Sequence, residues 1–148
     1  MSIDLQARLR LAEAIISASS NGRPFVKSSW IADDAIVCDA ARPGDVAEVV
    51  MSSRPELFLF EGGLVRLPET ISLGRNNVLG FPAGINLACL SETIALTMSQ
   101  VRRNTSLGRR IPLEEAHAVA QMARRHGFEC HLPDPDVGLD AGRLAIHH

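Results

Sequence analysis

Three short apolar runs constrain the fold of this chain most. Ala14-Ile15-Ile16-Ser17-Ala18 leads into Ser19-Ser20-Asn21-Gly22, Ala35-Ile36-Val37-Cys38-Asp39 leads to Arg42-Pro43-Gly44, and Leu57-Phe58-Leu59-Phe60 leads into Glu61-Gly62-Gly63. Each run is continuous rather than alternating, and each stops at small or polar turn residues. That pattern predicts parallel strands buried on both faces. Residues 3–12 read as a short amphipathic helix with Leu5, Leu9 and Ala12 on one side, and Asp45–Ser52 as a second helix. Strands separated by helices place the chain in the α/β class.

Beyond the third run the pattern changes. Leu64–Pro68 is a brief extended segment, and residues 69–84 are a loop rich in Gly, Asn and Pro. A helix is predicted from Asn86 to Val101, apolar round its first half and so expected to be buried. Another is predicted from Pro112 to His126. Pro112 takes its first position, Glu114 and Glu115 its first turn, and Gly127 its stop. The expected organisation is a partial Rossmann-type sheet over residues 1–84, a helical extension over 85–132 and a flexible tail over 133–148. A G-x-G-x-x-G phosphate turn is missing, and no strand precedes the first helix. The sheet therefore reads as the second half of a dinucleotide-binding domain. Its first strand would be an exposed apolar edge that pairs with another copy or another polypeptide.

Composition narrows the function. The 148 residues carry a formal net charge of −2 and are 46% hydrophobic, which is globular rather than disordered. The apolar stretches are too short for a transmembrane helix, and Met1–Asp4 lacks the basic start and apolar core of a secretory signal. Cys38, Cys89 and Cys130 lack metal-ligand spacing and fit a reducing cytoplasm. Lys27 is the only lysine. The arginine pairs at 102–103, 109–110 and 124–125 read as solvated helix ends and faces in a slightly acidic chain without a nucleic-acid motif.

The candidate chemistry lies at Cys89. With Asn86 as N-cap, Cys89 falls in a helix's first turn, where unpaired N–H groups favour a thiolate. Glu92, three residues on, shares that face and could handle a proton, pair with an arginine or line a cleft. Ser19, Gly62 and Gly63 follow predicted strands, at the carboxyl ends where open sheets bind ligands. Arg109 could hold a phosphate or carboxylate, or anchor its loop to the next helix. His126 suits a capping role, and Cys38 and Cys130 read as structural.

Five segments then come in order: Asp39-Ala40-Ala41-Arg42-Pro43, Glu61-Gly62-Gly63-Leu64-Val65, Ala88-Cys89-Leu90-Ser91-Glu92-Thr93-Ile94, Asn104-Thr105-Ser106-Leu107-Gly108-Arg109 and Arg125-His126-Gly127-Phe128. Over roughly residues 12 to 132 this set resembles the C-terminal half of the long-chain acyl-[acyl carrier protein] reductases and the related shikimate-dehydrogenase-like oxidoreductases. Glu61 stands where Asp or Asn is expected. The resemblance implies an NAD(P)-dependent oxidoreductase, with NADP the cofactor it suggests and the choice between NADP and NAD left open, in which Cys89 takes the acyl group from a thioester before hydride releases an aldehyde. Ser19, Gly62 and Gly63 would then face the cofactor, and acyl carrier protein or a small molecule would deliver the substrate. Two alternatives stand beside it. One is a shikimate- or quinate-type dehydrogenase without covalent catalysis. The other is a non-catalytic remnant that acts as an association subunit, inactive alone because the phosphate turn is absent.

Overall fold

The computed structural model describes residues 4–54, 56–77, 80–106, 108 and 110–132. The expected tail, 133–148, lies outside them. The chain divides into two compact units at Gly62 and Gly63.

The first unit holds α1 (Leu5–Leu9), β1 (Ala14–Ser17), a 3₁₀ turn (Ser28–Trp30), β2 (Ile36–Asp39), α2 (Glu48–Ser53) and β3 (Phe58–Glu61). Asp4 caps α1 by accepting a hydrogen bond from the Ala7 N–H at 3.1 Å. The strands form a parallel sheet in the order β1-β2-β3, so the α/β class and the three-stranded parallel sheet are as the apolar pattern predicts. Register lines up Ile15, Val37 and Leu59 across the sheet. All three are buried, and they pack with Val26, Ile31, Val46, Val50 and Leu57. Each fully buried side chain of this size contributes about 1.5–3 kcal/mol. Arg54 ties the 3₁₀ turn down, donating to the Ser28 and Ile31 carbonyls at 3.1 and 3.0 Å and pairing with Asp33 and Glu56.

One expectation fails here. The sheet is buried on one face only. The other face carries the rows Ala14–Ile36–Phe58 and Ile16–Cys38–Phe60. Ile16 is 82% exposed and Ile36 50% exposed. Side chains alternate between faces along a strand, and Leu9 of α1 and Val50 of α2 pack with the Ile15 row. The second helix also starts later than predicted, at Glu48, because Asp45 is occupied elsewhere, as described below.

The second unit holds β4 (Leu64–Arg66), β5 (Ile85–Leu87), α3 (Ala88–Met98), α4 (Leu113–Arg125) and β6 (Glu129–Cys130). Its antiparallel sheet runs β5-β4-β6. Leu64 and Ile85 pack with Phe81 on one side, while Val65 packs with Leu67, Ala95 and Phe128 on the other. The sequence pattern predicts neither β5 nor β6. Asn86, the expected N-cap, is instead a strand residue opposite Val65, and Leu87 takes the cap position with no side-chain hydrogen bond. The expected burial of the following helix also fails. Only Ser91 and Ala95 of α3 are buried, and Leu90 and Met98 are exposed. The helix ends at Met98, so Arg102 and Arg103 lie beyond it. Arg103 forms a two-pronged ion pair with Glu115. The end of α4 is as predicted, with Gly127 at φ 82° after the His126 cap, although Pro112 caps the helix rather than opening it.

Candidate functional site

Three parallel strands present their carboxyl ends together in the first unit, and two buried aspartates organise that end. Asp45 is fully buried. Its carboxylate accepts hydrogen bonds from the Ser17 hydroxyl, from the Ser19 N–H at 2.9 Å and from the Ser19 hydroxyl at 2.5 Å. Its carbonyl accepts the Phe25 and Val26 N–H groups at 2.9 and 3.0 Å. One residue therefore ties the end of β1 to the loop that leaves it and to the segment that returns. Burial pushes the Asp45 carboxyl up, but the three serine hydrogen bonds outweigh it and hold the group below the usual carboxylate range.

Asp39, at the end of β2, does the same for the next loop. Its two oxygens accept the Ala41 N–H at 3.1 Å and the Val46 N–H at 2.8 Å, and its carbonyl accepts the Gly62 N–H at 2.8 Å. Arg42 and Glu61 form an ion pair beside it. Gly62 is required sterically, since a Cβ there would lie 2.6 Å from the Cys38 sulfur and 3.0 Å from the Ala40 Cβ. Burial, with the Asp39 carboxylate adding, pushes the Cys38 thiol up.

In the second unit, Cys89 is exposed in the first turn of α3. Glu92, one turn on, accepts the hydroxyl of the buried Thr105 at 2.9 Å. Asn86 accepts the Leu87 N–H through Oδ1 at 2.9 Å. The Asn86 Nδ2 and the Ser91 Oγ are buried without a hydrogen-bond partner among the described residues. The 69–84 loop is gathered by Asn77. Its Nδ2 donates to the Phe81, Pro82 and Ile85 carbonyls, and its Oδ1 accepts the Leu73 N–H. The His126 ring nitrogen Nε2 lies 2.8 Å from the Ser99 hydroxyl, joining the ends of α4 and α3.

The residues singled out from sequence thus fall in separate groups. Ser19 and Gly62 belong to the strand-end network of the first unit. Gly63, with φ 71°, Cys89 and Glu92 belong to the second unit, where the Gly63 carbonyl accepts the Ala88 N–H that opens α3. Arg109 lies outside the described residues. Sequence reasoning missed Asp39, Asp45 and Asn77. The available signals were an aspartate closing an apolar run and another just after Pro43-Gly44. No group of three His, Cys, Asp or Glu side chains among the described residues could hold a metal ion, and no described helix is long and apolar enough to cross a membrane.

These features define an α/β protein whose strand ends carry a self-satisfied carboxylate network. No protein-family model matches the chain. It is similar to the aminotransferase PigE of a Serratia strain, at 28% identity over 126 residues. The matched region is 84% of this chain but 14% of that protein's length. That similarity corrects the expectation drawn from the reductase resemblance. That relative is named an aminotransferase, a different enzyme class from an NAD(P)-dependent oxidoreductase that reduces acyl thioesters and from a shikimate-type dehydrogenase.

Proposed function

We propose that this chain is a non-transaminating α/β module of a biosynthetic enzyme assembly, and that it docks through the open face of its parallel sheet. The observation that carries this reading is the outward pair of rows holding Ile16, Ile36, Phe58 and Phe60, with Ile16 82% exposed and the two phenylalanine rings 5.4 Å apart. All-parallel sheets are covered on both faces, almost always by helices. The occupant is therefore the apolar stripe of a helical surface from another polypeptide of the assembly. A second copy of this chain is a poorer match, because it would meet this face with the strands of its own sheet where a parallel sheet takes helices.

Transamination itself has no seat on this chain. That chemistry runs through a pyridoxal cofactor held on a lysine, with an acidic or guanidinium group at its ring nitrogen. Lys27 is the one lysine, and it is exposed, with its ammonium 5.7 Å from the centroid of the Trp30 ring. The residues do not fit the group.

The test uses a hydrophobic dye and charge substitution. The chain should bind anilinonaphthalene sulfonate while remaining folded. Ile16→Glu and Ile36→Glu should remove most of that binding with little change in the urea midpoint. Substitutions that unfold the first unit would show the face to be buried and end the proposal. A tight dimer lost on the same substitutions would replace the helical occupant by a second copy. Transamination by the chain supplied with pyridoxal phosphate would overturn the non-catalytic reading.

A further inference from the structure

The turn that leaves β1 holds a reactive pair that lies outside the docking face. Asn21 is exposed and is the only one of the chain's asparagines followed by glycine. Its Nδ2 donates to the Arg23 carbonyl at 2.8 Å, which folds the side chain forward along Gly22. Gly22 has φ 75°, and no heavy atom lies within 4 Å of where a Cβ would sit. The nitrogen of Gly22 therefore meets no side chain of its own and no neighbour near its Cα. Of the other asparagines, Asn76 precedes Asn77 rather than a glycine, and the remaining three are hindered. Asn77 is fixed by hydrogen bonds at both ends of its amide, Asn86 is fully buried, and Asn104 precedes the buried Thr105.

We infer that Asn21–Gly22 is a self-modification site at which the side-chain amide is lost and the backbone is rerouted. The Gly22 nitrogen bonds to the Asn21 Cγ and gives up its proton to solvent. The Cγ–Nδ2 bond breaks, and the amide nitrogen leaves as ammonia. Water then opens the five-membered imide at either carbonyl, giving an aspartyl or an isoaspartyl link, and nothing is oxidised or reduced. The product turns an amide donor at the Arg23 carbonyl into a carboxylate. The isoaspartyl form also adds a methylene to the main chain. Both changes reach Asp45, because the Asn21 N–H donates to the Ser19 hydroxyl oxygen at 3.1 Å and that hydroxyl donates to Asp45. The turn that Asp45 holds should loosen.

The experiment ages the full chain in warm, mildly alkaline buffer and follows tryptic peptides by mass and retention. Trypsin cuts after Arg10 and Lys27 and is blocked at Arg23 by Pro24, so Leu11–Lys27 carries Asn21 as its only side-chain amide. That peptide should split into the intact form and two acid forms, and Asn21→Gln should abolish the split. Asn21 remaining an amide while the peptides holding Asn76 or Asn104 convert would overturn the site. In the converted protein, the Phe25 and Val26 amides should exchange faster by about threefold to tenfold, the worth of one net hydrogen bond. Unchanged exchange at those two amides would overturn the link to Asp45.

Discussion

Replacing Asp45 should cost the first unit more stability than any other single polar substitution in it. The side chain is fully buried and accepts three hydrogen bonds, from the Ser17 hydroxyl and from the N–H and hydroxyl of Ser19. A hydrogen bond to a charged group is worth about 1.5–3 kcal/mol, and such values within one cluster do not add. Asp45→Ala removes the shared acceptor of all three donors, for an expected loss of about 3–5 kcal/mol. Asp45→Asn keeps one acceptor oxygen but sets an amide donor against serine donors, for about 2–3 kcal/mol. Against a total of about 5–15 kcal/mol, the alanine variant is near the limit of folding. Trp30 is the only tryptophan and sits in this unit, so its fluorescence reads the unit's urea unfolding directly. With a slope of about 1–3 kcal/mol/M, Asp45→Asn should lower the midpoint by roughly 1–2 M. The pH dependence has a definite sign. The folded carboxyl is held below its ordinary value, so the unfolded chain takes up the proton more readily. This stabilisation is complete above the ordinary carboxylate range and drains away as pH falls through the folded value. Asp45→Asn should flatten that acid limb. An Asp45→Asn midpoint equal to the parent's, or a parent chain that gains stability on acidification, would refute the reasoning.

Three further outcomes follow from the same geometry. Iodoacetamide should label the exposed Cys89 and Cys130 in the folded chain and spare Cys38, whose thiol is pushed up by burial and by Asp39, until urea unfolds the first unit; peptide mass mapping checks the order. Gly62→Ala should cost about 1–3 kcal/mol by forcing a methyl group onto the Cys38 sulfur, and Cys38→Ala in the same chain should recover part of the lost midpoint. Asn77→Ala should cost about 1–3 kcal/mol and speed proteolysis within 69–84, since one side chain holds Leu73, Phe81, Pro82 and Ile85; unchanged cleavage would show that the loop does not depend on it.

The parts of this fold legible from sequence are those set by local chemistry. β1, β2 and β3 stand out because Ile15-Ile16, Ile36-Val37 and Phe58-Leu59-Phe60 are continuous apolar runs closed by turn residues. The ends of α4 stand out because Glu114, Glu115, Arg124, Arg125 and Gly127 each suit their helix position. What escaped is set by distant partners. Asn86 looks like an N-cap because it precedes an apolar helix, yet pairing with Val65 across β4 takes it into a strand. β6 is two residues long and exists only because β4 offers Val65 and Arg66 as partners. Asp39 and Asp45 accept main-chain and serine donors, and several of those donors lie far away in sequence. Such a donor leaves no periodicity to read.

At the open sheet face, sequence and exposure disagree. Hydrophobicity on an outward row destabilises nothing while water covers it, so folding of the isolated unit gives no reason to keep Ile16 at 82% exposure beside Ile36 and the two phenylalanines. A sheet meant to face solvent alternates apolar and polar side chains. This one runs apolar through both faces of all three strands, with Asp39, Glu61 and Ser17 confined to the strand ends. The continuous pattern describes a sheet with cover on both sides, and the structure supplies cover on one. On the proposed docking role, the mismatch locates the interface at Ile16, Ile36, Phe58 and Phe60. It also sets the requirement for the occupant, which must bring an apolar surface without charge at its centre, since Ile16, Ile36, Phe58 and Phe60 offer no group to pair with one.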